Sequence, residues 1–441
     1  MATASTPYEP WEPGITYVIG HQRPDTDAIA SALGHAWYLE AIGVENVRAA
    51  RAGQVGPQAA FALRRFDQKA PGRLTAVGPT FGHATEPEEP VAPNVPLSIA
   101  MARLAAGARV VPVVDKGGKP LGALTPHALA RAYSQPVSGA EGAKGGSLVE
   151  AMPTFFGSDR ISDHRGAFLR NDGDDFIVID EGGRYLGLAT RRGVLEPPRA
   201  RLFLVDHNEL AQAVAEADEA EIVGVLDHHR LGNAPSAAPI PFVVEPVGST
   251  CTLVAEAARR SGLQPSPGMA GMLLSGLLSD TLVLRSPTTT DRDRAQSRWL
   301  SERAGVDVAE FGQELLRASP GLGERPARDI LDADRKSYQM GGKAVSIAQV
   351  EVNGLQQLPE RKPDLLAALD EQRVREGLAL ACLMVTDIVT GRSHLLCRGD
   401  NAILVALPFH RLPDSEWDLE GIVSRKKQLV PALESLLEPL I

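Results

Sequence analysis

Cysteine is scarce in this chain of 441 residues: only Cys251, Cys382 and Cys397 occur. They are scattered without C-x-x-C spacing, which excludes a zinc–thiolate site, fits a reducing compartment and predicts core thiols. Basic charge is not in excess either. Lys and Arg number 45 against 55 Asp and Glu, a formal net charge of -10. A general nucleic-acid binder needs a broad basic surface to displace counterions, so no nucleic-acid partner is expected and any anionic ligand must be met locally. The first fourteen residues, MATASTPYEPWEPG, have neither a basic start nor an apolar run. No later segment supplies ~20 uninterrupted apolar residues, so no signal peptide and no membrane contact are expected, and the predicted location is cytoplasmic.

At ~150 residues per domain the length predicts two or three domains. ITYVIG (15–20) is a short apolar run closed by Gly20 and followed by a polar turn and a helical pattern over 28–43. Similar apolar runs at 201–209 (RLFLVDHNE) and 221–230 (EIVGVLDHHR) each end in acids and histidines. Three buried parallel strands would present this chemistry at their carboxyl ends, the edge at which open α/β sheets bind ligands. Helical patterns follow at 250–262 and 269–279, separated by SGLQPSPG.

Between the first strand unit and the second lies a stretch of different character. VVPVVDKGGKPLGALT (110–125) and FIVIDEGGRYLGLAT (176–190) each read as a hairpin followed by a helix. They form a degenerate internal repeat, separated by the linker-like SGAEGAKGGS (138–147), and so predict an inserted domain. Beyond residue 320, the strand patterns at 344–352 and 379–389 flank a helical stretch at 363–377 and predict a smaller α/β domain that contains SRKKQ (424–428). The expected limits are 1–74 and 200–318 for the two parts of the first domain, 75–199 for the insert and 319–441 for the last.

GHQRPDTDA places His21, Asp25 and Asp27 in the loop after the first strand. An imidazole and two carboxylates within seven residues can converge on divalent metal, although Asp before an apolar helix also serves as an ordinary cap. Asp206-His207-Asn208 and Asp227-His228-His229 stand at the other strand ends, and Asp280 closes the apolar helix GMLLSGLLSD. A carboxylate at a helix carboxyl end opposes the dipole unless a cation compensates it. Acids and imidazoles crowded in this way imply cations of matching charge, and two divalent ions can share and acidify one water. Lys336, Arg425 and Lys426 are the candidates for holding a product phosphate.

GHQRPDTDA, LVDHNE, LDHHR, LLSDTLVLRSPTTT and SRKKQ together resemble the family II inorganic pyrophosphatases of the DHH phosphoesterase superfamily. The resemblance implies an α/β fold, with a parallel-sheet DHH domain and a smaller C-terminal DHHA2-like α/β domain closing on pyrophosphate. It also implies a homodimer formed through the catalytic domains. By the same resemblance His21, Asp25 and Asp206 hold one manganese or cobalt ion, and Asp27, Asp206, His228 and Asp280 hold the other, with Asp206 bridging. His229, Lys336, Arg425 and Lys426 would hold the substrate, which magnesium accompanies. The insert resembles an α+β pair of CBS domains, which implies adenine-nucleotide effectors contacting Thr125 and Thr190. Three residues on, where that family carries an Asp for the ribose, this chain has Ala128 and Gly193. Losing two charge-assisted bonds of ~1.5–3 kcal/mol each predicts weak or differently arranged nucleotide binding. The rival readings are an exopolyphosphatase or an oligonucleotide-acting DHH hydrolase, whose GGGH-like motif is missing, and a nucleotide sensor with a decayed active site.

Overall fold

A computed structural model of the chain describes residues 10–134, 145–170, 173–232, 236, 238–318, 322–323, 325–352, 355, 357–387 and 390–437. The chain enters through β1 (Thr16–Ile19), α1 (Thr26–Ala41), β2 (Val47–Arg51), α2 (Pro57–Arg65) and the short β3 (Gly72–Arg73). It then leaves this sheet for the insert.

The insert runs through β4 (Thr85–Glu86), α3 (Leu97–Ala105), β5 (Val111–Val114), β6 (Pro120–Leu124), α4 (Pro126–Ser134), β7 (Thr154–Phe156), α5 (Ile161–Leu169), β8 (Asp175–Ile179), β9 (Tyr185–Thr190) and α6 (Arg191–Leu195). The duplicated hairpins are β5–β6 and β8–β9, and their turns match atom for atom. Asp115 Oδ1 accepts from the amides of Gly117 and Lys119, and Asp180 Oδ1 from those of Gly182 and Arg184, all at 2.8–2.9 Å. An Asp side chain that closes a turn in this way explains the D-x-G-G spacing of both repeats. Residues 138–144 of the expected linker lie outside the described residues; Gly145–Leu148 form a short 3₁₀ turn.

The chain returns through β10 (Arg201–Val205), β11 (Glu221–Asp227) and β12 (Phe242–Val244), then α7 (Thr250–Arg260), α8 (Pro267–Asp280), α9 (Asp291–Ala304) and α10 (Val308–Arg317). The six strands of the first sheet stand in the order β12-β11-β10-β1-β2-β3, and every pairing is parallel. The insert therefore leaves at the sheet's edge and returns beside its first strand. Val18, Phe203, Val205 and Leu226 pack on one face with α1, α7 and α8. Tyr17, Ile19, Leu202, Leu204 and Val225 pack on the other, against Trp11, Leu74, Val77 and Val214. Burial on both faces is why these strands read as continuous apolar runs. The register Ile19↔Leu204 and Val205↔Leu226 brings the loops after β1, β10 and β11 to one carboxyl edge.

The last domain adds α11 (Ala327–Ala333), β13 (Arg335–Met340), β14 (Lys343–Val352), α12 (Leu358–Glu376), β15 (Leu380–Asp387), β16 (Arg392–Gly399), α13 (Asn401–Ala406), β17 (His410–Leu412), β18 (Glu416–Asp418) and α14 (Val430–Leu437). Its mixed sheet runs β13-β14-β15-β16-β18-β17, with β14 and β15 parallel through the crossover helix α12. Residues 388 and 389 of the expected strand lie outside the described residues. Among the described residues no helix is long and apolar enough to cross a membrane.

Candidate metal centre

Each acid is aimed by local structure. Asp25 is the N-cap of α1: its Oδ1 accepts from the Ala28 amide at 2.9 Å, while its Oδ2 lies 3.6 Å from His21 Nε2. Capping and facing the histidine are thus simultaneous uses of one carboxylate. Asp27, in the first turn of α1, is fully buried and accepts from Ser249 Oγ at 2.7 Å and from the amides of Thr250 and Cys251 at 2.7 and 3.1 Å. The positive end of α7 therefore holds this anion. A Cβ at Gly276 would stand 2.8 Å from Asp27 Oδ1 and 2.5 Å from Cys251 Sγ, so α8, which carries Asp280, can pack here only without one. Asp206, directly after β10, takes the left-handed conformation, φ 60°. For a non-glycine residue that conformation persists only where its surroundings impose it.

Three groups of ligand atoms share Asp206, one of them with His228 and His229. Ligand atoms of His21, Asp25 and Asp206 lie within 4.8 Å of one another, and so do those of Asp27, Asp206, His228 and Asp280. His21 Nε2 is 3.4 Å from Asp206 Oδ2; His228 Nε2 is 3.4 Å from both Asp206 Oδ1 and Asp280 Oδ2. The structure thus brings together all six residues singled out as metal ligands. His228 Nδ1 donates to the Val247 carbonyl at 3.0 Å, which turns Nε2 toward the carboxylates. This is the usual orienting contact of a metal-binding imidazole. Asp206 Oδ2 and His228 Nε2 are buried without a hydrogen-bond partner among the described residues. Orphaned donor atoms at the meeting point of two sets fit a pair of divalent ions, and the mixture of imidazole and carboxylate is compatible with manganese.

The electrostatics agree. Burial, followed by the Asp206 charge, pushes the Asp27 carboxyl up to about 7. Asp280 is raised well above the carboxylate range by burial and by Asp25 and Asp27. Burial alone would lower the His21 imidazole, but Asp206 and Asp25 overcome it and hold it at about 9. His228 is likewise raised against burial by Asp206 and Asp280. Without cations, protons must neutralise the cluster; four carboxylates and two neutral imidazoles would instead balance two divalent ions.

Facing the cluster is a cationic segment of the last domain. Lys426 Nζ donates to His229 Nε2, whose other nitrogen lies 2.7 Å from Asp227 Oδ1. Burial and the Lys426 charge push His229 down to about 3, so the ring is neutral. Lys336 Nζ donates to Gln212 Oε1 at 3.1 Å, and burial with Lys426 and Arg425 brings it down to about 7. Arg425 is 4 % exposed; its Nη1 donates to the Asp334 carbonyl and its Nη2 to the Asp334 carboxylate, both at 2.7 Å. Its guanidinium is thus a fixed charge.

Sequence reasoning gave no separate role to the residues that aim these groups. Asp227 accepts from the His228 amide at 2.8 Å as well as from His229, and Asn208 donates to it. An acid directly before two histidines was a readable signal for Asp227; nothing in the sequence marked Gln212 or Asp334. In the insert, Thr125 Oγ1 accepts from the Ala128 amide and Thr190 Oγ1 from the Gly193 amide, each at 2.9 Å. Both threonines therefore begin helices, and Thr125 also donates to Glu150 Oε2 at 2.6 Å.

The sequence profile of the DHH family, N-terminal domain, matches residues 15–277, and that of the DHHA2 domain matches residues 313–436. A "Probable manganese-dependent inorganic pyrophosphatase" of Streptococcus suis (strain 98HAH33) is 39% identical over 254 residues, 56% of this chain and 81% of the relative. The chain belongs to the DHH family, within its family II inorganic pyrophosphatases. A similarly named protein of Lactobacillus delbrueckii subsp. bulgaricus (strain ATCC BAA-365 / Lb-18) is 38% identical over 274 residues, 59% of this chain and 88% of the relative. The crystal structure of a Methanococcus jannaschii "putative family II inorganic pyrophosphatase" superposes with a TM-score of 0.62 at 25% identity, covering 96% of this chain and 99% of that one. That coverage takes in the insert as well as both flanking domains of this DHH-family chain.

Replacing Asp206 by Asn keeps the shape but removes the shared charge, so metal analysis of D206N should find both bound equivalents lost together; one tightly retained ion would contradict a shared ligand. Cations must also displace the protons that the free cluster holds. Manganese uptake at pH 8 should therefore release protons, and affinity should fall as pH drops below about 9, where His21 takes its proton, and more steeply through about 7, where Asp27 takes one. Uptake independent of pH would contradict this.

Proposed function

We propose that the chain is an inorganic diphosphatase that hydrolyses pyrophosphate to two orthophosphates, using manganese or cobalt at the two sets sharing Asp206, with magnesium accompanying the substrate. The observation that carries this reading is the meeting of His229 with Lys426. It sets a cation-holding cluster on one domain against anion-holding cations on the other. When bound, the ion pair supplies Lewis acidity, neutralising the carboxylates and acidifying a water for in-line attack on phosphorus.

The protein's own residues do the rest. Asp227 fixes the His229 ring, and the neutral ring presents Nε2 to the cleft. An entering pyrophosphate replaces that nitrogen as a partner of the Lys426 ammonium. Lys336 takes up a proton as the anion arrives, since its depressed value reflects burial among cations that the substrate charge offsets. Arg425, braced by Asp334, presents positive charge that needs no reorganisation as charge builds on the leaving phosphate.

The domain limits that go with this reading are 1–74 and 200–318 for the catalytic domain, 75–199 for the insert and 319–441 for the substrate-binding domain. We further propose that the insert is a CBS pair through which adenine nucleotides adjust hydrolysis, on the strength of its duplicated hairpin–helix units. A route for such an effect exists. Arg160 of the insert pairs with Glu216 at 2.9 Å and Glu219 at 2.6 Å, and the same segment carries Gln212, the partner of Lys336. A homodimer is supported by the exposed apolar edge strand β12, with Phe242 and Val243. Three buried free cysteines agree with a cytoplasmic location.

Phosphate release measured side by side from pyrophosphate, tripolyphosphate and an oligonucleotide should show pyrophosphate strongly preferred. Faster release from either of the others would overturn the assignment. Lys336→Met should lower kcat/KM roughly 10²–10³-fold, the usual consequence of deleting one donor to developing phosphate charge. In calorimetric titration AMP, ADP and ATP should bind more weakly than low-micromolar, because both threonine hydroxyls already cap helices and the Glu150 charge opposes a phosphate at Thr125; low-micromolar binding would refute this.

A further inference from the structure

The loop after Asp280 carries the one run of three consecutive non-glycine left-handed residues among those described: Leu282, Val283 and Leu284, with φ of 50°, 55° and 63°. For a β-branched residue such as Val283 that conformation is a steric outlier, and a run of this kind persists only where surrounding contacts over-determine it. Those contacts are present. The Leu282 amide donates to the Ser279 carbonyl and the Val283 amide to the Leu278 carbonyl, and Thr281 Oγ1 accepts from the Leu284 amide at 3.2 Å. The turn is folded back onto the end of α8. Helix α10 comes close against it at Gly312, where a Cβ would lie 2.5 Å from Val283 Cγ1.

This arrangement builds a small apolar seat. Leu282 and Leu316 of α10 are buried together, and two partly buried residues pack against them: Val283 and, from the last domain, Val423. Val423 is three residues before Lys426, and Leu282 is two residues after Asp280. The segment bearing Val423 is internally braced. Gln428 Oε1 accepts from the amides of Val423 and Ser424 at 3.0 Å each, and its Nε2 donates to the Gly421 carbonyl at 2.9 Å. A shift of Val423 therefore carries Arg425 and Lys426 with it. The bracing also gives the glutamine of SRKKQ a structural reason.

We infer that Val423 is a positioning residue: seated on Leu282 and Leu316, it registers the Arg425–Lys426 cations of one domain against the Asp280 end of the metal cluster on the other. Coulomb attraction between the domains is long-ranged and tolerant of direction, whereas an apolar contact made by a braced segment fixes one register. The left-handed turn is the backbone shape that presents Leu282 to the other domain within two residues of Asp280. This inference rests on the pyrophosphatase reading and adds to it a residue that touches neither metal nor substrate.

The test is kinetics of Val423→Ala and Val423→Ile on magnesium pyrophosphate, with manganese content and melting temperature measured on the same samples. Loss of about two methylene equivalents of buried contact predicts roughly a tenfold fall in kcat/KM, chiefly through KM, with metal content and melting temperature unchanged. V423I restores the wild-type value. In a double-mutant cycle the losses of V423A and L316A are less than additive, because both remove the same seat. Wild-type KM in V423A, a loss accompanied by departure of manganese, failure of V423I to restore, or full additivity with L316A would each overturn the inference. A wild-type chain inert toward pyrophosphate would instead refute the activity on which it rests.

Discussion

The architecture turns on one electrostatic problem, the convergence of Asp25, Asp27, Asp206 and Asp280 at a single sheet edge. Carboxylates so placed repel one another, and burial removes the water that would screen them. Asp206 has the sharpest version of this problem, since it is 1 % exposed and stands between His21 and His228. The protein holds the acids in place with independent supports: the α7 N-terminus for Asp27, the cap of α1 for Asp25, and the packing of α8 for Asp280. A pair of divalent cations would resolve the repulsion that these supports maintain.

The sequence made much of this legible because the motifs sit at element ends. A strand that ends in DHN or DHH places its polar residues at the sheet's carboxyl edge whatever the detailed packing, and Asp25 marks a helix start that the structure contains. Six widely separated residues could therefore be named before their contacts were known. Supporting groups were not legible for the same reason. Gln212 lies 124 positions from Lys336 and Asp27 lies 222 from Ser249, and such distant pairs leave no periodic trace. Strands β2, β3 and β12 also escaped notice, being short or, like VRAAR, too polar to stand out as a buried run. The two threonines of the insert illustrate an ambiguity in residue type, since the hydroxyl that would touch a phosphate is the hydroxyl that caps the following helix.

The cleft is divided between two domains with opposite electrostatic tasks. One gathers anions and needs cations; the other gathers Lys336, Arg425 and Lys426, where burial, followed by repulsion from Lys426 and Arg425, lowers Lys336 to about 7. Under the proposed function each half is thus incomplete without small charged partners, and the two halves would complement the two ends of a metal–pyrophosphate complex. The insert meets the catalytic domain away from the metal cluster, where its Arg160 grips the segment that supports Lys336. A displacement there has a short path of hydrogen bonds to the substrate cations.

Crystals of the chain grown with manganese, measured at the manganese absorption edge, test the central claim most directly. The account predicts two anomalous peaks ~3.5–4 Å apart, one against His21 and Asp25, the other against Asp27, His228 and Asp280, with Asp206 touching both. A single peak, or two that do not share Asp206, would contradict it.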